Sequence, residues 1–535
     1  LLTFRDGVLQ HFSAALTTMS TAAKNRERLL RDFLEYRRSA IAEGEKAAVR
    51  EYVIVPGGDP AHAGQLARPL VRQGFEVRQA TQSFTQGGRS LPAGTFLVSA
   101  AQPGGRLLRN LMGARISQPE ALVKEQDRRR KKRLPDQMYD VTAWSLPLTY
   151  DVEVIGAAAP VTVASTAVTA DPEVRAAKLP AASVGYLMPW GSGTAATVVE
   201  ALQKGVKIRS AALGFTLGGR AYPIGTAIVR VSDNDGSLAS TLGAIAAAHG
   251  AEVIPIDSAF VDSGVSLGSN QVAVMPPPRV LLVWDTPTQS TSAGWARYVL
   301  ERHFGQPVTA VRGNSLRRVD LREFDVIVLP AGNYGKVFGG DALRQLKDWV
   351  NGGGTLITLG EASRWAAREN VNLVETRTEL RDGRPETDAS EKSESKKPES
   401  GAAAAFDFEK AIQPERERPE STSGALLRVS LDLEHWLSSG TDGEIQAMVE
   451  GQRVFRPITL DKGRNVGVYQ RKDTLVAAGL VWPEAQDQLA QKAFLIHQPV
   501  GRGHVIAFAE DPNYRASTEA TQLLFINAVL MGPAF

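Results

Sequence analysis

The sequence predicts a multidomain α/β fold in which two related units precede a third, doubly wound sheet. Three observations lead to this prediction. The segment FTQGGRSLPAGTFLV, from Phe84 to Val98, recurs 131 residues later as FTLGGRAYPIGTAIV, from Phe215 to Val229. Short apolar strands alternate with helical patterns around both copies and again after Arg279. The chain also has 535 residues, more than one hydrophobic core usually organises.

The first 48 residues are predicted to form a helical segment. Apolar residues recur over 4–42 at spacings of three and four, and neither Pro nor Gly interrupts the pattern after Gly7. Gly44 is a suitable helix stop. We therefore expect residues 4–42 to be one long amphipathic helix that packs on a neighbouring domain.

The repeat divides the next part of the chain into two α/β units, 49–150 and 151–278, which we interpret as flavodoxin- or Rossmann-like. In each unit a strand, a helix and a second strand lead into a Gly-Gly-Arg hairpin. We expect Arg89 and Arg220 to serve the architecture of this hairpin. The segments are 52–55, 61–73, 75–77 and 84–99 in the first unit and 184–188, 195–203, 206–210 and 215–229 in the second.

The third domain is predicted over 279–376 and 425–535. Its first strand, 280–284, is almost entirely apolar, as expected where both faces of a parallel sheet are covered. The intervening segment, 377–424, is rich in Glu, Lys, Ser and Pro and poor in large aliphatic residues. Such a composition cannot bury enough surface to offset its ordering entropy, so we expect a disordered charged insertion.

Composition excludes several classes of function. The net charge of +3 is too small to indicate nucleic acid or an acidic membrane as a partner, and the chain has no cysteine. Disulfides, thiolate metal sites and a cysteine nucleophile are therefore excluded. The basic run from Arg128 to Arg133 lacks interleaved aromatic residues and favours a solvated loop. No apolar stretch is long enough to span a membrane.

The histidines do not predict a metal site. One HxxE motif, His249 to Glu252, lies where a helix ends and a strand begins, which is an ordinary connection. His497 and His504 flank one hairpin turn, and a structural pair across the strands is favoured over a ligand pair. We assign no metal ligand, no catalytic residue and no cofactor-binding residue to this chain.

Three glycine-rich or acidic junctions remain as candidates. Glu361 occupies the strand-to-helix position of a nucleophile elbow, although a carboxylate is a poor acyl-transfer nucleophile. Gly352 to Gly354 precedes a strand, unlike a phosphate-binding loop. The loops at Gly57 and Gly191 do follow strands, at the edge where open sheets bind ligands, but they lack the full dinucleotide spacing.

Three stretches resemble a known family: Pro92–Val98, Tyr139–Pro147 and Ala507–Arg515. They are similar to the C-terminal region of large bacterial zinc carboxypeptidases of the carboxypeptidase A-like family. The resemblance implies a secreted or periplasmic protein, a zinc-containing peptidase domain upstream, a peptide substrate, and a last domain like the class I glutamine amidotransferases. It transfers no catalytic residue, because the upstream zinc ligands and the amidotransferase cysteine have no counterpart here.

Three functions follow as hypotheses. The first is a non-catalytic scaffold or substrate-access region of such a carboxypeptidase, with the missing peptidase domain as its partner. The alternative is a ligand-binding or sensor module of stacked α/β domains that uses the loops at Gly57 and Gly191. A third is an amidase in 279–535 that would depend on Glu361.

Overall fold

The computed structural model describes residues 2–114, 118–169, 179–387 and 418–535. It confirms the α/β class, since helices alternate with strands that form several sheets. The chain divides into two compact units. One contains Leu1–Val55, Leu66–Met112 and Glu153–Pro172, and the other contains Pro56–Gln65, Gly113–Val152 and Glu173–Phe535.

The N-terminal segment forms two consecutive helices, α1 (Phe4–Lys24) and α2 (Arg26–Lys46). Thr3 and Asp6 cap α1 reciprocally in a capping box. Helical hydrogen bonds continue through Asn25, whose N–H donates to the carbonyl of Thr21 and whose carbonyl accepts from Leu29. The predicted helix is therefore present, with one distorted residue in its middle.

The first repeat builds a five-stranded sheet in the order β6-β1-β5-β2-β7. All neighbouring strands in it are antiparallel. The elements of this part of the chain are β1 (Glu51–Val55), α3 (Pro60–Arg72), β2 (Val77–Ala80), β3 (Phe84–Gln86), β4 (Arg89–Leu91), β5 (Phe96–Ser99), α4 (Gly105–Met112), α5 (Glu120–Lys131), α6 (Leu146–Thr149), β6 (Glu153–Ala157) and β7 (Ser165–Ala167).

The second repeat has the same topology, with a sheet ordered β13-β8-β12-β9-β15 and antiparallel neighbours throughout. Its hairpin strands β10 and β11 pair with each other, and β10 also pairs with β14. The elements are β8 (Gly185–Met188), α7 (Ser192–Gln203), β9 (Ile208–Ala211), β10 (Phe215–Leu217), β11 (Arg220–Tyr222), β12 (Ala227–Arg230), α8 (Leu238–His249), β13 (Ile254–Ile256), β14 (Ser263–Gly264) and β15 (Val272–Met275).

The strand pairing inside the repeats corrects one detail of the flavodoxin- or Rossmann-like interpretation, which implied hydrogen bonds between parallel strands. The Gly-Gly-Arg hairpin reverses the chain, and the returning strand inserts between the first two strands of its unit. Strands β1 and β2 therefore run in the same direction without pairing, because β5 separates them. Strand β12 separates β8 and β9 in the same way.

Each hairpin arginine makes the same bidentate ion pair. Arg89 donates from Nη1 and Nη2 to the two carboxylate oxygens of Glu153, at 2.6 and 2.9 Å. Arg220 donates in the same manner to Glu252, at 2.9 and 2.7 Å. Glu153 begins β6, and Glu252 lies shortly before β13, the corresponding strand. The repeated arginine thus joins the hairpin to one edge of its sheet.

The part of the chain from Val280 onward contains the parallel sheet that the sequence predicts. Strands β17, β16, β18, β19 and β25 are parallel, and β24, β22, β20 and β21 continue the sheet with antiparallel pairing. The elements are β16 (Val280–Trp284), α9 (Ser290–Tyr298), β17 (Val308–Arg312), β18 (Val326–Leu329), α10 (Asp341–Asn351), β19 (Thr355–Leu359), α11 (Glu361–Ala366), β20 (Thr422–Leu431), β21 (Glu444–Gly451), β22 (Arg464–Tyr469), β23 (Val476–Ala478), α12 (Pro483–Leu489), β24 (Ala493–Val500), β25 (Gly503–Phe508) and α13 (Glu519–Met531).

The two ends of the expected disordered insertion are folded. Glu379 is 5% exposed, and its carboxylate accepts hydrogen bonds from Arg456 at 3.1 Å and Lys492 at 2.7 Å. At the other end, β20 begins at Thr422. Ion pairs with distant residues let these charged segments pack, which composition cannot indicate. Residues 388–417, the middle of the predicted insertion, lie outside the described residues.

The basic run at Arg128 to Arg133 closes α5 and is not the expected solvated loop. A helix C-terminus favours cations because its carbonyl groups carry partial negative charge. Arg130 is only 16% exposed and lies within 3.3 Å of both Glu420 and Glu484. The positive charges thus have acidic partners in the fold. No helix in the described part of the chain is both long and apolar enough to cross a bilayer.

We predict that the two hairpin ion pairs contribute little to stability, because both partners are about half exposed. The variants Arg89→Ala and Arg220→Ala are each expected to lower the free energy of unfolding by about 0.2–1 kcal/mol. Denaturant unfolding followed by circular dichroism measures this change. A loss of more than about 2 kcal/mol in either variant would contradict a surface role.

Candidate functional site

The two strand-end loops that the sequence predicts as ligand sites lie against each other. The buried carboxylate of Asp59 accepts hydrogen bonds from the backbone N–H of Ala61 at 3.0 Å and of Ser192 at 2.5 Å. Ser192 is the first residue of α7, where the helix dipole favours a negative charge. A Cβ at Gly191 would lie only 2.9 Å from the Asp59 carboxylate, so the contact requires glycine.

A third loop, 432–442, completes the arrangement, and nothing in the sequence singled it out. Its Asp442 carboxylate packs on Gly58, where an added Cβ would lie 2.2 Å from Oδ1. Its Gly440 has a φ of +82°, and a Cβ there would lie 3.1 Å from the Cα of Gly191. Gly58 and Gly191 therefore each contact a carboxylate, and Gly440 contacts the backbone of Gly191. These contacts bring the three loops together in one small region.

One buried side chain on α13 holds two of these loops in place. Asn527 is fully buried, and its Oδ1 accepts a hydrogen bond from the indole N–H of Trp190 at 2.7 Å. Its Nδ2 donates to the carbonyl oxygens of Leu437 and Ser439, both at 2.9 Å. The amide uses its donors and its acceptor in opposite directions, so it fixes the loop at Trp190 relative to the 432–442 loop.

The loops enclose a cleft of about 960 Å³. This volume lies in the range of small-molecule sites, which combine apolar walls with a few placed polar groups. The apolar lining residues are Pro189, Trp190, Leu213, Ala221, Pro223, Ile224 and Leu433. The polar and charged ones are Arg220, Asp432, Glu434, His435, Ser438, Ser439, Thr441, Asp442 and Arg464.

The charges of the cleft are largely unpaired. Among the described residues, no ion pair engages the carboxylates of Asp432, Glu434 or Asp442, or the guanidinium of Arg464. Arg220, in contrast, is neutralised by Glu252. Three carboxylates against one uncompensated cation give the cleft a net negative charge.

A further acidic group lies behind Asp442. Burial raises the pKa of Asp151 to about 6, and the negative charges of Asp442 and Asp59 act in the same direction, against the influence of His62. His62 approaches the Asp59 carboxylate at 3.5 Å. Asp151 and Asp59 are therefore close enough to Asp442 to add to the negative potential around it at neutral pH.

Three histidines form a hydrogen-bonded chain that starts at the cleft. His435 Nδ1 accepts from the backbone N–H of Leu437 at 3.1 Å, and its Nε2 lies 2.9 Å from Nδ1 of His497. Nε2 of His497 lies 2.9 Å from Nδ1 of His504. The backbone donor fixes the proton of each neutral ring on Nε2. The pairing of His497 with His504 is as predicted, and His435 extends it.

Protonation of these three hydrogen-bonded histidines is unfavourable. Burial lowers the pKa of His435 to about 4, and it also lowers the pKa values of His497 and His504. An added proton on any of the three rings would bring two donors face to face. The nearby charges of Asp432 and Arg464 act on His435 in opposite directions, so burial decides the result.

The HxxE residues are engaged elsewhere. His249 Nε2 lies 2.8 Å from the carboxylate of Glu200, and Glu252 is held by Arg220. Within the described ranges, no group of three or more His, Asp or Glu side chains has an arrangement that could hold a metal ion.

The elbow position is also occupied by structural contacts. Gly360 takes a φ of +53° between β19 and α11. The Glu361 carboxylate that follows lies 3.3 Å from Arg453 and 3.5 Å from Arg364. Arg453 also pairs with Glu510, a buried residue whose pKa is raised by burial to about 7. Because two guanidinium groups already engage the Glu361 carboxylate, the geometry does not support an amidase that uses it as a nucleophile.

A second cleft, of about 870 Å³, lies at the opposite, N-terminal edge of the parallel strands and includes Gly352–Gly354. Four of its five charged side chains are paired with each other, Arg279 with Asp325 and Arg322 with Asp320, both at 2.7 Å, and Asp348 has no ion pair among the described residues. The Trp349 ring fills the space next to Gly354, where a Cβ would lie 2.4 Å from it. This cleft therefore offers one charge without an ion pair among the described residues, against four in the cleft at the three loops, which is the better candidate.

Solved structures that resemble the chain are proteins of α/β fold. A ThuA-like protein from Parabacteroides merdae shares 11% identity, with 48% of this chain and 90% of that chain covered, at a TM-score of 0.32. PurLQS from Thermotoga maritima shares 11% identity over 47% and 97% of the two chains, at a TM-score of 0.29. A second ThuA-like protein, from Bacteroides uniformis, shares 10% identity over 47% and 90%, at a TM-score of 0.29.

No family model and no curated protein sequence matches the chain. The similar structures include ThuA-like and glutamine amidotransferase-like proteins, and no carboxypeptidase is found among them. The resemblance to zinc carboxypeptidases is therefore wrong. The association of this protein with zinc and proteolysis, which rested on that resemblance, is wrong as well. The three short stretches that carried it lie at the start of β5, in the loop that leads into α6, and at the end of β25 with the loop that follows it. The scaffold hypothesis is not tested by these comparisons, and the function is argued below from the cleft.

We predict that Asn527→Leu destabilises the protein by about 3 kcal/mol or more, because it leaves the buried Trp190 N–H and two carbonyl groups without partners. The exposed Asn270→Leu variant is the control, with an expected change within about 0.5 kcal/mol. Denaturant unfolding of both variants measures the difference. Equal stabilities would contradict the role of Asn527 as the link between the loops.

The histidine chain predicts a loss of stability in acid. The folded pKa values lie below the unfolded value of about 6.5, so the unfolded state binds protons first. Stability is then complete above about pH 7 and falls below about pH 6.5, by up to about 1.4 kcal/mol per pH unit for each ring. Unfolding measured from pH 7.5 to 5 tests this expectation.

Two variants isolate the contribution of the three histidines to the pH dependence of stability. His504→Gln is expected to make the pH dependence shallower by one proton, whereas His11→Gln, at an exposed position on α1, is expected to leave it unchanged. If the free energy of unfolding of the unmodified protein does not change between pH 7 and 5, the buried histidines do not destabilise the protein in acid and the prediction is wrong.

Proposed function

We propose that the chain is a ligand-binding module whose site is the cleft formed by the loops 56–59, 189–193 and 432–442. The observation that carries the proposal is the convergence of these loops, two of which follow the first strand of a repeat unit. Buried contacts of Asp59 and Asn527 organise the loops before any ligand arrives. Preorganisation of this kind reduces the entropy cost of binding.

The charge of the cleft supports a small organic amine as the ligand. Asp432, Glu434 and Asp442 offer acceptors to an ammonium group, and Arg464 can take a carboxylate or hydroxyl on the same molecule. Leu213, Pro223, Ile224 and Leu433 provide apolar surface for its carbon skeleton. Phosphorylated ligands such as nucleotides are disfavoured, since their charge has the sign of the cleft.

A thermal-shift screen tests the proposal. The panel contains polyamines, amino sugars and basic amino acids, with neutral sugars and nucleotides as the comparison set. An amine is expected to raise the unfolding temperature in proportion to the logarithm of its concentration once it exceeds the Kd, and added salt is expected to weaken the effect. If no amine in the panel stabilises the protein, the assignment of an amine ligand is wrong.

Adjacent glycines supply a matched pair of variants for the same site. Gly58→Ala is expected to displace the Asp442 carboxylate and to weaken amine binding about tenfold, the equivalent of one charge-assisted hydrogen bond. Gly57→Ala is the control, because a Cβ there meets no atom within 4 Å. Isothermal titration calorimetry with the best ligand of the screen measures both affinities. Equal affinities would place the site away from the Gly58–Asp442 contact.

A further inference from the structure

The N-terminal helices present an apolar stripe that the described remainder of the chain leaves uncovered. Not one residue of α1 is buried. Its large apolar side chains are half to nine-tenths exposed, from Val8 at 50% to Phe4 at 90%. Helices of globular proteins normally turn such a face toward a core. An exposed apolar surface of this extent indicates an interaction site.

The stripe has the spacing of a coiled coil. Steps of three and four alternate without interruption from α1 into α2, at Leu9, Phe12, Leu16, Met19, Ala23, Arg26, Leu30 and Phe33. This is the a/d pattern of a heptad, which keeps one seam of a helix facing a partner helix. The hydrogen bonds through Asn25 keep the two helices in one helical phase. The seam from Leu9 to Phe33 is thus about 36 Å long.

The size of the seam matches a protein–protein interface. Its exposed members and their neighbours are Phe4, Val8, Leu9, Phe12, Leu16, Met19, Leu30 and Phe33. Large apolar side chains carry about 150–250 Å² each when fully exposed, so these eight offer roughly 900 Å². A stable complex buries about 800 Å² on each partner.

The charges around the seam favour a second copy of the same chain. The residues flanking the seam on α1 are chiefly Ala, Ser and Thr, so identical helices can approach without repulsion. An in-register parallel pair would set Arg26 against its own copy. An antiparallel pair centred between Leu16 and Met19 sets Arg26 opposite Leu9 of the other copy, about one helical turn from the acidic residue Asp6.

We propose that the protein forms a homodimer through an antiparallel coiled coil of α1 and the first half of α2. The dimer needs no residue of the cleft, since the seam and the cleft share none. It therefore stands or falls independently of the proposed ligand.

Sedimentation equilibrium of the full chain, from low to high micromolar concentration, tests the dimer. The expected mass rises toward twice the 57.5 kDa of one chain. Leu16→Glu, at the centre of the seam, is expected to weaken the dimer at least a hundredfold, since it would bury two like charges (about 2.7 kcal/mol or more). Ala14→Glu, on the opposite, exposed face of α1, is expected to leave the association unchanged.

Two results would contradict the proposed homodimer. A chain that stays monomeric at high micromolar concentration, or a dimer that survives Leu16→Glu, overturns the proposal. Because the chain has no native cysteine, single-cysteine variants report the orientation. A mixture of Leu16→Cys and Met19→Cys proteins is expected to cross-link, and a disulfide between two copies of Arg26→Cys would overturn the antiparallel arrangement. Since α1 buries nothing, circular dichroism of each variant is expected to match that of the parent.

Discussion

The buried amide of Asn527 is the interaction on which the candidate site depends. It bonds to the Trp190 indole on one side and to the backbone of the 432–442 loop on the other. Asp59 makes the complementary link, from the 56–59 loop to the start of α7. Two buried polar groups thus hold three loops in register. Breaking these hydrogen bonds would leave buried polar groups without partners, which costs free energy. We therefore expect the three loops to keep their relative positions.

The cleft illustrates how a scaffold can separate stability from recognition. The apolar strands and the fully buried helix α13 supply the stability. The groups available for a ligand, such as Asp442 and Arg464, take no part in the ion pairs of the described fold. Glu361 and Arg220, in contrast, form ion pairs within the fold, with Arg453 and Glu252 respectively. Unpaired charge in a preformed cleft is therefore the feature that distinguishes a binding site from the framework.

Much of the architecture could be predicted because it leaves local signals. The repeat at Gly87 and Gly218, the long N-terminal helix and the parallel strand at Val280 all follow from spacing and apolar runs. Strand order in the repeats could not be predicted, because a returning strand such as β5 pairs equally well at an edge or between two others.

For the candidate site, the sequence identified two loops and missed the third. Gly57 and Gly191 follow strands, which is a local cue, whereas the 432–442 loop reaches the cleft through contacts of Asn527, nearly ninety residues away. The His435 end of the histidine chain was missed for the same reason. Short motifs also misled: Ala507–Arg515 suggested a family from nine residues whose pattern reflects a strand ending in a loop.

Hydrogen exchange of the full chain, with and without a stabilising amine, tests the central claim most directly, namely that the three loops form one site. The amine is expected to slow hydrogen exchange in all three loops, 56–59, 189–193 and 432–442. Protection confined to one of these loops, or located instead around Gly352–Gly354 at the opposite edge of the sheet, would contradict it.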